Sequence, residues 1–503
     1  MSINWERFTK IDQKMVLPAL MGLIAVAVNL VLTLDFIASL VVGALVAVMM
    51  FFYKSFSRGW LLLLSIALLF PATRIGNGEV FLFDLFLMIL IIVSLVQLAL
   101  KNKKLTTNSL AFPFFLLILI GVAMIGFGLI FDTKISDNVW RILLSVVTFW
   151  FLFSAFQYFF QTRRRIKRFF TVLVLVGVIH SIFGLLAFVF GSPTSSGLGI
   201  STGKTQHLLF NEVTTQITGL FGIGLQDQIG VNPLAGFLLI TIMITIGFIL
   251  VNIQQEKDLL EKIEDNGDDS TLEDRENEWE NQVFGEYLQK DYRKQRFIFI
   301  GLALIQILAL FLTFSYSTFL FFAIAIFVMG ILLKNKHVIA ISAILIIAFT
   351  IIFPGFMDSS VGSGLYTGQW FSGIKEIGNN WFFGNGVELL EKSQDILRNE
   401  TQISNSYIYI WNYYGIFGFI ILIYIMARYF LDIYRNFQRT EKAARIWYIV
   451  IFAIFIAIAL EAVTSNILLI GPTAVIFWLL YGVVINLRHK NIEFGLTEAK
   501  ISD

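Results

Sequence analysis

An all-α bundle of membrane-spanning helices is the fold class this sequence predicts, and three observations predict it. Of 503 residues, 57% are hydrophobic and 14% charged, with a mean hydropathy of +0.78; soluble domains carry about 25% charged residues. Apolar runs near or above ~18 residues, the length that crosses a bilayer, recur along the whole chain. Basic residues collect in short segments between those runs, in alternate loops and so on one side when the runs are threaded in order.

Taken in order, the predicted spans are roughly 15–33, 36–53, 60–71, 80–100, 110–131, 139–161, 169–191, 233–252, 297–315, 317–333, 338–354, 406–427, 446–470 and 471–487, about fourteen in all. Before the first, Trp5, Phe8, Ile11 and Met15 recur at helical spacing among Arg7, Lys10 and Lys14. That pattern reads either as a short helix on the anionic inner leaflet or as a tail. No cleavable signal precedes a soluble domain, so the first run is expected to remain as an anchor. Starting from a cytoplasmic N-terminus, the inside loops receive Lys54 and Arg58, then Lys101, Lys103 and Lys104, then Arg163, Arg164, Arg165, Lys167 and Arg168. Lys334 and Lys336, the stretch from Arg428 to Arg445, and Arg488 with Lys490 follow on the same side. A wrong count would put one of these clusters outside. Both termini are therefore expected in the cytoplasm, and the protein in a bacterial plasma membrane.

The chain divides into N-terminal spans over 1–191, a first long extracytoplasmic loop at 192–232, a span at 233–252 and an acidic cytoplasmic insertion at 253–296. Spans over 297–354, a second long extracytoplasmic loop at 355–405, C-terminal spans over 406–490 and a cytoplasmic tail at 491–503 complete it. In the insertion, Ser270 and Glu273 form a possible capping box, followed by Trp279, Val283 and Tyr287 at helical spacing. It reads as a solvated segment with one amphipathic helix or as a docking site for a partner protein.

The net charge of +2 does not point to nucleic acid, because the positive charge lies in the connecting loops. With no cysteine and four histidines, disulfides are excluded and a tight transition-metal site is not expected. The chain lacks a P-loop, a dinucleotide fingerprint, a zinc-binding His pair, a Gly-x-Ser-x-Gly elbow and an obvious internal repeat. Chemistry is instead expected at the outer face. Loop 355–405 carries Tyr366, Trp370, Phe371, Ile374 and Ile377 at the spacing of a helix lying on the membrane, then Trp381-Phe-Phe-Gly-Asn-Gly386 and a polar run ending Arg398-Asn-Glu-Thr-Gln402. A loop this long and aromatic reads as one that closes over a membrane-level cavity. Arg74 lies in a short outer loop and Arg141 just inside the sixth span. Arg141 either snorkels to the interface or grips an anionic group such as a diphosphate, and Arg74 reads as a plain loop residue or as part of such a grip. Asp84, His180 and Glu461 sit within apolar runs; His180 reads as a packing histidine, and Glu461, about mid-span, as a residue that lines a cavity.

Three segments carry a resemblance. Gly384-Asn-Gly386 follows an aromatic pair, Ser404-Asn-Ser-Tyr-Ile-Tyr-Ile-Trp-Asn-Tyr-Tyr-Gly-Ile-Phe-Gly418 enters the twelfth span, and Thr313-Phe-Ser-Tyr-Ser317 opens the tenth. In order and in side of the membrane these resemble the O-antigen ligase and Wzy-type polymerase superfamily, with weaker echoes at Gly78 to Asp84 and Glu461 to Gly482. The resemblance implies a glycosyltransferase that uses an undecaprenyl-diphosphate-linked glycan as donor. An acceptor hydroxyl attacks the anomeric carbon, arginines stabilise the leaving diphosphate, and neither metal nor cofactor is implied. The chain departs from the family's pattern at Ser404, where ligases place a histidine, and at Tyr316 and Tyr366, where many members have arginine. The usual base cannot be carried over. The candidates on the same side are Glu400, His207 and Asp395 for catalysis, with Arg74, Arg141, Lys204, Arg398 and Asn405 for the diphosphate and substrate; Lys375 is a further cation there. Partners implied are the lipid-linked donor, the glycan acceptor, membrane lipids and other assembly proteins at 253–296. A ligase that transfers a finished glycan, a lipid-linked glycan flippase and a non-catalytic assembly subunit remain as alternatives.

Overall fold

The computed structural model describes residues 56–69, 82–100, 109–131, 135–190, 202–206, 213–217, 233–265, 274–313, 315–352, 370–371, 373–378, 380–386, 403, 405–440 and 442–488. Apolar sequence with few prolines gives helices almost throughout: α1 (Phe56–Leu69), α2 (Leu82–Leu100), α3 (Ala111–Ile130), α4 (Asp137–Phe159) and α5 (Arg163–Phe190). After a short hairpin of β1 (Thr202–Gln206) and β2 (Val213–Ile217) come α6 (Pro233–Asp265), α7 (Asp274–Leu312), α8 (Tyr316–Leu332) and α9 (Lys336–Ile352). Beyond the second long loop lie α10 (Ser406–Arg439), α11 (Lys442–Glu461) and α12 (Gly471–Arg488). The last twelve predicted spans each fall on one of these helices; the first two lie outside the described residues.

Seven helices, α3 to α7, α10 and α11, are long and apolar enough to cross a membrane, and α1, α8, α9 and α12 are shorter apolar helices. The outer surface confirms the solvent. Phe112, Phe115, Leu129 and Ile130 on α3, Phe297, Leu304 and Phe311 on α7, and Ile341, Ile344 and Ile347 on α9 all face outward. In water such a continuous apolar surface would be an aggregation site, and in a bilayer it is the ordinary lipid face. The protein is a helical membrane protein.

The core forms around α6. From Leu234 to Ile244 its side chains are enclosed on every side by α5, α7, α8, α11 and α12, as expected of a helix apolar all round. Its few hydroxyls are satisfied across the interface. Thr241 Oγ1 donates to Gln306 Oε1 at 2.7 Å, and Gln306 Nε2 donates to Thr245 Oγ1 at 3.2 Å. Gly177 of α5 lets α6 approach, since a Cβ there would lie 2.5 Å from Thr241 Oγ1. His180 packs as the sequence suggested, fully buried, with Nε2 2.9 Å from the Leu68 carbonyl.

Three local expectations change. In 253–296, the helix read around Trp279, Val283 and Tyr287 is present but as the first part of α7, and the capping-box pair Ser270 and Glu273 lies outside the described residues. Spans α6 and α7 run on into the segment as one helical hairpin, 33 and 39 residues long, or about 50 and 58 Å against a hydrocarbon core of about 30 Å. Glu256 clasps the base of this hairpin, accepting from Arg293 Nε and Arg296 Nη1 at 2.9 Å each. The first long loop is not wholly irregular, because 202–206 and 213–217 pair antiparallel. The predicted span 446–470 ends as a helix at Glu461, and 462–470, with Thr464, Ser465 and Asn466 among apolar residues, is a largely buried run of turns. Glu461 therefore sits at a helix end rather than mid-span.

The helix ends sort into two groups. At the hairpin end, Asp432 accepts from Ser109 Oγ at 2.6 Å and Tyr481 at 3.0 Å, which joins α10, α12 and the approach to α3. The basic residues of α5's first turns, the α8–α9 turn and the second half of α10 lie at this end. At the opposite end, termed the clasp end below, the starts of α4, α6, α8, α10 and α12 meet the C-terminus of α11.

Candidate functional site

The clasp is built from two of the segments that carry the resemblance. α10 is broken at Gly415, whose φ of 65° and ψ of −170° are left-handed and non-helical. Inside an α-helix the Ile416 N–H would bond the Asn412 carbonyl. Here segment 381–386 inserts into that ladder: Asn385 N donates to the Asn412 carbonyl, and Ile416 N donates to the carbonyls of Trp381 and Phe382 at 3.1 and 3.3 Å. The insertion supplies both groups that the kink would orphan. Backbone meets backbone here, so glycine is needed. At Gly384, φ is 80° and a Cβ would fall 2.6 Å from Gly415 N; at Gly415 it would collide with the Phe382 carbonyl oxygen. Gly386 donates no side chain for the same reason, its carbonyl accepting from Ser136 N at the start of α4 at 3.0 Å.

On this frame lies a chain of amides. Asn380 Nδ2 donates to Asn385 Oδ1 at 2.8 Å, Asn385 Nδ2 to Asn412 Oδ1 at 2.7 Å, and Asn412 Nδ2 to Glu376 Oε2 at 3.3 Å. Asn385 Nδ2 also reaches the Glu376 carbonyl at 3.2 Å. Every donor points the same way, so the dipoles add and the chain terminates on an exposed carboxylate, Glu376. Asn138 of α4 extends the cluster, donating to Tyr413 Oη at 2.6 Å and accepting from Tyr409 Oη at 2.8 Å. Around it Phe371, Ile374, Trp381 and Phe383 are exposed, while Ile377 is buried and Gly373 packs on Ile403 and Ile408. An exposed aromatic rim around a polar centre is the composition of a membrane–water interface and of a sugar-binding surface.

Of the residues proposed from sequence, Glu400, Asp395, Arg398, His207 and Arg74 lie outside the described residues, as do Ser404 and Tyr366. Lys204 is in β1, paired with Thr215. Arg141 is half-buried near the start of α4, one turn beyond Asn138, and so at the clasp. Asn405 is buried and caps α10, its Oδ1 accepting from Tyr407 N and Ile408 N at 3.0 Å. Sequence reasoning missed Glu376, Asn380 and Asn138. Asn385 and Asn412 were inside the quoted motifs, but nothing in the spacing announced that they meet Glu376. Among the described residues no three His, Asp or Glu side chains converge as a metal site.

Fold and site together define a polytopic helical membrane protein with a built polar cluster at one end of the bundle. Compared with known proteins, the chain matches no protein-family model and no curated protein.

Proposed function

We propose that this protein is a membrane glycosyltransferase that polymerises lipid-diphosphate-linked oligosaccharide repeat units into a cell-surface polysaccharide, acting at the clasp on the outer face of a bacterial plasma membrane. The observation that carries the reading is the amide chain that ends on Glu376 beside the aromatic rim. Amides and a fixed carboxylate are the groups that hold sugar hydroxyls, and apolar ring faces stack on the pyranose. The surrounding lipid face brings the polyprenyl chain of the donor to the same level. The basic residues at the hairpin end support a cytoplasmic position for that end, by the positive-inside rule, and with it an outer position for the clasp.

In this reading Glu376 takes the place of the missing family histidine. Its carboxylate accepts the proton of the acceptor hydroxyl as that oxygen attacks the anomeric carbon, and the bond from that carbon to the diphosphate oxygen breaks with its electron pair. Arg141, one turn from Asn138, and Lys375, next to Glu376, are the described cations that would approach the departing diphosphate. Asn412, Asn385 and Asn380 position Glu376.

The test is glycan chain length in cells that lack the gene and carry it back as wild type, Glu376→Gln or Asn412→Ala. Single lipid-linked repeat units without long chains, in the deletion and in Glu376→Gln, are the expected result. Repeat units trapped on the cytoplasmic face would instead mean a flippase, and the polymerase reading would fall.

A further inference from the structure

Glu461, the last residue of α11, is fully buried and stands apart from the clasp cluster. Its Oε1 accepts from Thr318 Oγ1 at 2.6 Å. Thr318 has one hydroxyl proton and spends it on the carboxylate, so in the 2.8 Å contact between Ser315 and Thr318 the donor is Ser315. The chain therefore runs one way, from Ser315 through Thr318 to Glu461. Ser315 precedes α8 in the turn from α7 and is only half-buried. A serine there ordinarily caps its helix by accepting a backbone N–H. Ser315 makes no such bond, and its hydroxyl is committed to the chain instead.

On the far side of the carboxyl, Glu461 Oε2 and Thr473 Oγ1 are both buried without a hydrogen-bond partner among the described residues. Both side chains lie against Gly236, where a Cβ would be 3.4 Å from Glu461 Oε1 and 3.5 Å from Thr473 Cγ2. No Lys, Arg or His pairs with Glu461 among the described residues. Facing it, α8 carries no charged side chain, α6 has none before Glu256, α12 has none before Arg488, and α10 has none before Arg428. Among the described residues the nearby titratable groups are Tyr407 of α10, which donates to the Ala459 carbonyl at 2.9 Å, and His180 of α5, on the other side of Phe237 of α6.

A buried carboxyl with one bare oxygen and no cation needs either a bound charge or a proton. The starts of α6, α8 and α12 gather here, and their partial positive charge opposes a metal ion while it favours the bare carboxylate. A proton removes the cost of the buried charge without needing a coordination shell, and both forms are thereby within reach. We propose that Glu461 is a proton-binding site, loaded from the clasp end along Ser315 and Thr318. Each transfer balances: Ser315 takes a proton from the aqueous side as it gives its own to Thr318, which gives its own to Glu461 Oε1. The site stands independently of the glycan reading.

Infrared difference spectra of the full chain in lipid nanodiscs, taken across a step from alkaline to acid pH, test this. We expect a carboxylic-acid carbonyl band that is lost in Glu461→Gln. In Thr318→Val and Ser315→Ala the same band should rise roughly tenfold more slowly after the pH step, about 1.4 kcal/mol of barrier. Near-wild-type melting of Thr318→Val and Ser315→Ala keeps folding out of the comparison. Absence of any Glu461-dependent band, or loading at the wild-type rate in both chain variants, would overturn the proposal. Disappearance of the band on adding sodium chloride at fixed pH would also overturn it, in favour of a metal-ion site.

Discussion

Glu376 sits next to Lys375 on a short helical stretch with Trp370, Phe371, Ile374 and Ile377, and by sequence it looks like part of a solvated face. What distinguishes it is the direction of the amide chain, since three Asn side chains donate in series toward one carboxylate oxygen. If Glu376 is the base, replacing it with glutamine removes proton acceptance and leaves shape and hydrogen bonding nearly unchanged. Turnover of lipid-linked repeat units should fall about 10²- to 10⁴-fold, with KM little altered. Asn412→Ala only loosens the carboxylate and should cost less. Equal losses in both variants would make the cluster a structural tie. Asn405 shows the opposite lesson. It belongs to a motif that carried functional expectation, yet its carbonyl oxygen is spent on two backbone amides of α10.

At the scale of elements, the break in α10 decides the site. Gly384 and Gly415 are legible as motif glycines, but not as partners, because their sequence separation hides a backbone-to-backbone contact. An L side chain in the left-handed region costs about 1–2 kcal/mol, and at these positions it also separates segment 381–386 from α10. Gly415→Ala should therefore lower stability by a few kcal/mol in a detergent unfolding titration and raise protease cleavage near 381–386. Gly301→Ala, on an open face of α7 with nothing within 4 Å, is the matched control and should change neither. The ending of α11 was hidden for another reason. Ala462, Val463 and the run Ile467–Ile470 keep the hydropathy high across Thr464, Ser465 and Asn466, so hydropathy does not tell a helix from a buried turn here. The hydroxyls of Thr464 and Ser465 return to the Glu461 carbonyl at 3.0 Å and close the helix.

Across the whole molecule, length and composition were enough to read the class. Helices at the twelve later apolar runs were visible because lipid requires long apolar helices, whatever packs between them. In 253–296 the sequence showed one amphipathic helix around Trp279, Val283 and Tyr287, but not that α6 and α7 both run on into the segment, because its many charges end the apolar periodicity. The chain has no cysteine, so single introduced thiols report sidedness without background. Phe383→Cys, exposed at the clasp, should react with a membrane-impermeant maleimide added to intact cells, and Lys336→Cys only after the membrane is opened. The reverse pattern would put the clasp in the cytoplasm and remove the site from the face where surface polysaccharide is assembled.

The most direct measurement takes purified protein in proteoliposomes and lipid-linked repeat units extracted from the deletion strain, and follows the glycan on a gel over time. The account predicts a ladder of regularly spaced products with wild type and none with Glu376→Gln. Repeat units left as monomers by the wild-type protein, or an unchanged ladder from Glu376→Gln, would contradict it.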